Sequence, residues 1–196
     1  MVTLDLKYRE GSSDILLNSS DSLKITELSG IARYILRGDS PVIPLISAEL
    51  GLTLNSPINR ATVAEMCSAL HLGPDEWLLL FNKTDTKNLD TRVRNAAGSY
   101  PFALVDVSHR NVGFRFHGEQ VVDALCSGCP QNLEIDFFPI GKCTRTVYAK
   151  VEICLWRRDE YDFVLETSRS SVPYLLGYLA QETSPITGNS QTFNDL

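Results

Sequence analysis

The sequence has few of the features that mark membrane or secreted proteins. It contains no run of 18 apolar residues, and its first residues lack the basic and apolar regions of a signal peptide. Its five cysteines are an odd number in a chain of 196 residues, which is long enough to fold without disulfides. We therefore predict a cytoplasmic protein with reduced thiols and no membrane contact.

The chain also lacks an excess of positive charge. Its 18 Lys and Arg residues are outnumbered by 24 Asp and Glu residues, which gives a formal net charge of -6. Because nucleic-acid phosphates are bound by clustered cations, we predict no nucleic-acid partner. One local basic patch remains, and we interpret it as a solvated sheet face or a protein contact. It comprises Lys142, Arg145, Lys150, Arg157 and Arg158.

Residues for metal binding occur only in a weak pattern. Cys126, Cys129, Cys143 and His117 could supply a zinc site of the Cys₃His kind. There is no second C-x-x-C pair, and Cys126 is expected to pack inward from its helix. We therefore predict free thiols and no bound metal.

Nucleophilic and phosphate-binding patterns are weaker still. Asp106, Ser108 and His109 are the residue types of a hydrolase triad, but alternate side chains of a strand point to opposite faces. A turn in which the Asp or Ser side chain accepts hydrogen bonds from backbone N–H groups explains them better. The glycines are scattered, and Gly113 lies in mid-strand, so no phosphate-binding loop is predicted. We predict no catalytic residues in this chain.

A repeated pattern is the most informative feature that is present. Residues 27–29 (ELS) precede an apolar run and a Gly-acidic pair, and residues 106–108 (DVS) precede the same pattern 79 positions later. A second pair, DEW at 75–77 and DEY at 159–161, opens apolar strands 84 positions apart. Two copies indicate a paired-module fold, since a solenoid needs at least three stacked units.

The apolar periodicity predicts two units of strands and helices. In the first unit we expect strands at 23–28, 31–37, 64–71 and 76–82, with helices at 41–50 and 86–97. In the second we expect strands at 102–107, 111–116, 143–151, 152–156 and 161–166, with helices at 119–127 and 172–182.

This order predicts an α+β protein made of duplicated ferredoxin-like (split βαβ) modules, with antiparallel sheets covered by helices. The predicted divisions are an N-terminal arm (1–22), a first module (23–98), a second module (99–182) and a flexible tail (183–196). The arm and the tail are polar segments of the kind that a partner often orders.

Five short stretches resemble the gamma subunit of heterotetrameric sarcosine oxidase, in the same order and with compatible spacing. They are residues 72–79 (LGPDEWLL), 105–110 (VDVSHR), 128–130 (GCP), 138–146 (FPIGKCTRT) and 155–157 (LWR). That family is similar to the folate-binding T-protein of the glycine cleavage system. The resemblance therefore implies a T-protein-like, folate-binding-domain-like fold, in agreement with the repeat.

The resemblance implies a non-catalytic accessory chain in an oxidase that demethylates sarcosine to glycine. Hydrogen peroxide and a one-carbon unit passed to tetrahydrofolate are the expected further products. No cofactor is expected on this chain: FAD, FMN, NAD and tetrahydrofolate would lie in other subunits, and zinc in the delta subunit. The expected partners are the alpha, beta and delta subunits, with alpha in the most direct contact.

Two alternatives stay open at this point. The chain could bind a folate itself and act as a stand-alone one-carbon transfer protein, or it could be the gamma-type subunit of a related N-methyl amino acid dehydrogenase. Within the accessory role, polar and aromatic residues near strand ends suggest a subunit interface. The predicted interface residues are Asp106, His109, Arg110, Lys142, Arg145, Trp156 and Arg157.

Overall fold

The computed structural model describes residues 16–19 and 22–182. The strands are β1 (Leu16–Ser19), β2 (Lys24–Glu27), β3 (Ile31–Gly38), β4 (Ala61–Val63), β5 (Cys67–Gly73), β6 (Glu76–Asn82), β7 (Phe102–Asp106), β8 (Asn111–His117), β9 (Cys143–Tyr148), β10 (Val151–Asp159) and β11 (Asp162–Ser168). The helices are α1 (Ile43–Leu50), α2 (Leu89–Ala97), α3 (Val121–Cys126) and α4 (Val172–Glu182). In the part of the chain that the structure describes, no helix is long and apolar enough to cross a membrane.

The strands form two antiparallel sheets of related topology. The first sheet has the order β4-β5-β6-β3-β7, and the second has the order β1-β2-β8-β11-β10-β9. Apart from β1, the orders match strand for strand, with β3 equivalent to β8, β5 to β10 and β6 to β11. The segment β3-α1-β5-β6-α2-β7 follows the split βαβ order of a ferredoxin-like unit. The prediction of duplicated α+β modules is thus confirmed.

Each sheet takes one strand from the other side of the predicted module boundary. β7 lies in the predicted second module but pairs with β3 of the first sheet, while β2 lies in the predicted first module but pairs with β8 of the second sheet. The predicted division at residues 98 and 99 therefore does not separate the two sheets. Apolar alternation showed that these segments are strands, but it carries no information on which distant strand each one pairs with.

The termini of the chain are described only in part. Leu16–Ser19, which lies in the predicted arm, is the edge strand β1 and pairs with β2. The rest of the predicted arm up to residue 21, and the whole predicted tail of residues 183–196, lie outside the described residues.

Side-chain alternation along the strands gives the protein three apolar layers. Helices α1 and α2 cover the outer face of the first sheet, and their core includes Leu36, Ile46, Leu79 and Val93. Helices α3 and α4 cover the outer face of the second sheet, and their core includes Phe114, Leu125, Phe163 and Leu175. The inner faces of the two sheets pack against each other through Leu70, Leu78, Leu80, Cys154, Trp156 and Val164.

Candidate functional site

A buried ion pair crosses the inner layer between the two sheets. Arg33 on β3 donates from Nε to Oε2 of Glu166 on β11 at 2.6 Å, and from Nη2 to Oε1 at 3.0 Å. The two side chains are only 5% and 2% exposed. Burial raises the pKa of the Glu166 carboxyl above its ordinary value, while the Arg33 guanidinium opposes that rise.

Gly113 makes the space for this pair. It lies opposite Glu166 in the register of β8 and β11. A Cβ atom at this position would overlap Glu166 Oε1 and lie 2.7 Å from Arg33 Nη2. The glycine in mid-strand is therefore explained by the close approach of two charged side chains.

An open cleft of about 890 Å³ lies at one end of the inner layer, and we call it the basic cleft. Glu166 lines it together with apolar residues from both sheets, including Ile35 and Leu78. Three cations also line it: Arg110 from the turn before β8, Arg145 from β9, and Lys150 from the turn between β9 and β10. All three residues are exposed.

The cations of the basic cleft differ in their partners. Arg145 forms an ion pair with Glu76. Arg110 donates from Nε to the Asn111 side chain at 3.1 Å, and no acidic side chain among the described residues forms an ion pair with Arg110 or Lys150. Two positive charges therefore stand at the cleft without an acidic partner in the part of the chain described.

The corner at residues 106–110 has the predicted capped geometry. Oδ1 of Asp106 accepts a hydrogen bond from the backbone N–H of Ser108 at 2.8 Å. The Ser108 hydroxyl in turn accepts from the backbone N–H of Arg33 at 2.9 Å, which ties this turn to the first sheet. Burial acts to raise the pKa of Asp106, but the hydrogen bonds from Ser108 outweigh it and hold that pKa below its usual range. These hydrogen bonds give Asp106 and Ser108 a structural role in the turn.

The structure brings two of the seven predicted interface residues, Arg110 and Arg145, to the basic cleft. Asp106 and His109 are exposed in the adjoining corner. Lys142 is directed elsewhere, since its Nζ donates to the Phe137 carbonyl at 2.7 Å and lies 5.1 Å from the Phe138 ring centroid.

Trp156 and Arg157 are buried, with 5% and 2% of their surface exposed. The Arg157 guanidinium donates to the backbone carbonyls of Leu133, Phe138 and Glu160 at 2.7 to 3.0 Å. This placement corrects the expectation that both side chains lie at a surface edge. The alternation of β10 directs Trp156 into the inner layer, and Arg157 secures the loop before β9.

The cysteines do not converge on one site. Cys129 packs in the core beneath α3 and α4, whereas Cys143 packs in the inner layer on the opposite face of the second sheet. Cys126 is exposed, so the expectation that it packs inward is wrong. Within the described residues, no group of three or more His, Cys, Asp or Glu side chains is placed to hold a metal ion. Burial raises the pKa of Cys67 to about 11 and that of Cys143 to about 12.

The buried pair and its glycine were missed at the level of sequence. The signal was a charged residue inside an apolar strand, Arg33 in IARYIL and Glu166 in FVLET, with Gly113 between Val112 and Phe114. Each of these could also be read as a solvent-facing strand position. Only the packing of the two sheets distinguishes the two interpretations.

A family model and solved structures were compared with this chain, and they indicate its family and its fold respectively. The model of the sarcosine oxidase, gamma subunit family matches residues 37–185. A chain of the heterotetrameric sarcosine oxidase from Corynebacterium sp. U-96, in complex with pyrrole 2-carboxylate, superposes with a TM-score of 0.76 at 19% identity, over 88% of this chain and 91% of that chain.

A second solved structure has the same fold more distantly. The glycine cleavage system aminomethyltransferase T from Bartonella henselae superposes with a TM-score of 0.60 at 12% identity, over 78% of this chain and 44% of that chain. This chain thus spans less than half of the aminomethyltransferase. A search of curated proteins found no match.

Proposed function

Because this chain belongs to the sarcosine oxidase gamma subunit family, we propose that it is a non-catalytic subunit that supports assembly of a heterotetrameric sarcosine oxidase. The proposed reaction of the whole enzyme is oxidative demethylation of sarcosine to glycine. Hydrogen peroxide is formed, and the one-carbon unit passes to tetrahydrofolate. The family match over residues 37–185 is the observation that carries this proposal.

The non-catalytic role is supported by what the reactive side chains already do. Glu166 is engaged by Arg33, and Asp106 accepts from the backbone of its own turn. Cys143 and Cys154 are buried, and burial raises the pKa of both thiols, which disfavours the thiolate form needed for nucleophilic attack. These groups hold the fold together in ways that leave them poorly suited to acid–base or nucleophilic chemistry.

The proposed partners are the alpha, beta and delta subunits, with alpha in the most direct contact. FAD, FMN, NAD and tetrahydrofolate are proposed to reside in the other subunits, and zinc in the delta subunit. On this chain, the proposed contact surface comprises the corner with Asp106, His109 and Arg110, together with Lys142 and Arg145. It is favoured by Arg110 and Arg145, two exposed cations that line the basic cleft of an acidic protein.

Copurification from the source organism tests this function. A tagged chain should bring down a yellow complex that contains larger flavin-bearing subunits and produces hydrogen peroxide with sarcosine. A panel of other N-methyl amino acids, and an artificial electron acceptor in place of oxygen, would identify a related dehydrogenase instead. A colourless protein recovered alone would contradict the subunit assignment, and a tetrahydrofolate titration of that protein would then test stand-alone folate binding.

A further inference from the structure

The basic cleft has the size and lining of a site for a polar, acidic chain segment. Its volume of about 890 Å³ lies toward the upper end of the range for ligand pockets, roughly 300–1,000 Å³. Besides its three cations, its polar lining includes Ser168 and Ser171, whose hydroxyl oxygens lie 2.7 Å apart. Such groups can donate hydrogen bonds to carboxylate or backbone oxygen atoms.

The charge at the cleft is opposite to that of the protein as a whole. The full chain carries a formal net charge of -6. Among the residues that line the cleft, Arg110, Arg145 and Lys150 face only two acids, Glu152 and Glu166. Glu166 is already matched by Arg33, and the Glu76 carboxylate that pairs with Arg145 also lies 3.5 Å from Arg37. Positive charge in a cleft of an acidic protein selects where an acidic partner can dock.

The three cations lie on three separate segments: the turn before β8, the strand β9, and the turn between β9 and β10. An extended chain with several carboxylates can contact all three segments, while a single small anion offers fewer simultaneous contacts. We propose that the basic cleft receives an acidic segment of a partner subunit, which bridges the inner faces of both sheets at their open end. This inference rests on the proposed function, because it requires that the chain assembles with other subunits.

Charge reversal at the unpaired cations provides the first test. The double variant Arg110→Glu and Lys150→Glu alters exposed side chains that have no ion-pair partner among the described residues, so it should fold normally. Lys87→Glu, combined with Lys24→Glu, is the matched control, because both residues are exposed and neither lines the basic cleft. Circular dichroism and thermal unfolding of both variants check the fold.

In copurification at about 0.15 M salt, we expect the cleft variant to associate with its partners at least about tenfold more weakly than the control. The association of the unaltered chain should weaken between about 0.05 and about 0.5 M salt, and the cleft variant should lose much of this salt dependence. Equal assembly of the two variants would overturn the cleft proposal and leave the subunit assignment standing. Failure of the unaltered chain to capture any partner would contradict the subunit assignment itself.

A titration of the isolated full-length chain separates an acidic segment from a small anion. Hexaglutamate should bind saturably, compete with partner binding, and bind more weakly to the cleft variant than to the control. Inorganic phosphate at the same concentration should neither bind comparably nor compete. If phosphate binds as tightly and depends on the same two cations, the cleft is a small-anion site and the proposed segment is wrong.

Discussion

Arg33 and Glu166 connect the two sheets through two parallel hydrogen bonds, of 2.6 Å and 3.0 Å, within the inner layer between the sheets. The guanidinium also donates from Nη1 to the Ile31 carbonyl at 2.9 Å. A buried charge pair of this kind adds little net stability over apolar residues, but it is costly to break. It therefore favours one relative placement of the two sheets, since any other would leave a buried charge without its partner.

Removal of one partner should destabilise the protein strongly. Arg33→Met leaves the Glu166 carboxyl buried without its cation, so we expect a loss of about 3–5 kcal/mol in the free energy of unfolding. The double variant Arg33→Met with Glu166→Leu fills the same space with apolar groups and should recover most of that loss. Urea unfolding monitored by circular dichroism measures both values. If the double variant is no more stable than Arg33→Met, the loss of stability does not come from the unpaired Glu166 carboxyl.

The loss of stability in Arg33→Met should grow as the pH rises. The unfolded Glu166 carboxyl titrates near its ordinary value of 4.5, and its pKa in the folded protein is higher because the group is buried. The stabilisation that comes from the raised pKa of Glu166 is therefore fully present below the unfolded pKa, and it is lost as the pH rises through the folded pKa. Without Arg33 the folded pKa should rise further, so the stability deficit of Arg33→Met should widen as the pH rises from the folded pKa of Glu166 in the unaltered protein to its higher folded pKa in the variant. Adding Glu166→Gln removes the titrating group, and the widening should then disappear.

A methyl group at position 113 should disrupt the same pair. Gly113→Ala places a Cβ atom 2.7 Å from Arg33 Nη2 and in overlap with Glu166 Oε1. We therefore expect the free energy of unfolding to fall by about 1–3 kcal/mol. Gly177→Ala is the matched control, because Gly177 lies exposed in α4 with open space around its Cβ position. That control should be stabilised by about 0.5–1 kcal/mol. Similar thermal midpoints for the two variants would argue against the steric role of Gly113.

The two tryptophans should differ in how much stability is lost when each is replaced by Phe. Trp77 donates from Nε1 to the Leu54 carbonyl at 3.0 Å, whereas the buried Nε1 of Trp156 has no hydrogen-bond partner among the described residues. Trp77→Phe should therefore cost about 1–3 kcal/mol more than Trp156→Phe, because it leaves a buried carbonyl unsatisfied. Chemical unfolding of the two variants gives the comparison directly. An equal or larger loss for Trp156→Phe would mean that its indole N–H is satisfied in solution.

Thiol reactivity should single out one cysteine. Cys126 is exposed, while Cys67, Cys129, Cys143 and Cys154 are buried. With Ellman's reagent near pH 8, we expect one thiol of the native protein to react quickly and all five to react after unfolding. Cys126→Ser should abolish the fast phase. A fast phase that persists in Cys126→Ser would show that one of the other thiols is accessible in the native protein.

Much of the architecture could be predicted from local patterns in the sequence. The repeat, the alternating strands and the apolar stripes of the helices gave the duplicated α+β modules, because side-chain period follows directly from backbone geometry. The capped turn at Asp106 followed from the tendency of short polar side chains to bond nearby N–H groups. The cations Arg110 and Arg145 were also identified, although their meeting in one cleft was not.

The amino-acid sequence by itself determined the helices and all strands except β1 and β4, the apolar faces of these elements, and the family to which the chain belongs. The tertiary structure alone decided that β2 and β7 cross between the sheets, and that Trp156 and Arg157 are buried. It also decided that Arg33, Gly113 and Glu166 meet, on three strands far apart in the chain. The physical reason is that local patterns fix the direction of a side chain relative to its own strand, whereas its neighbours depend on how two complete sheets pack.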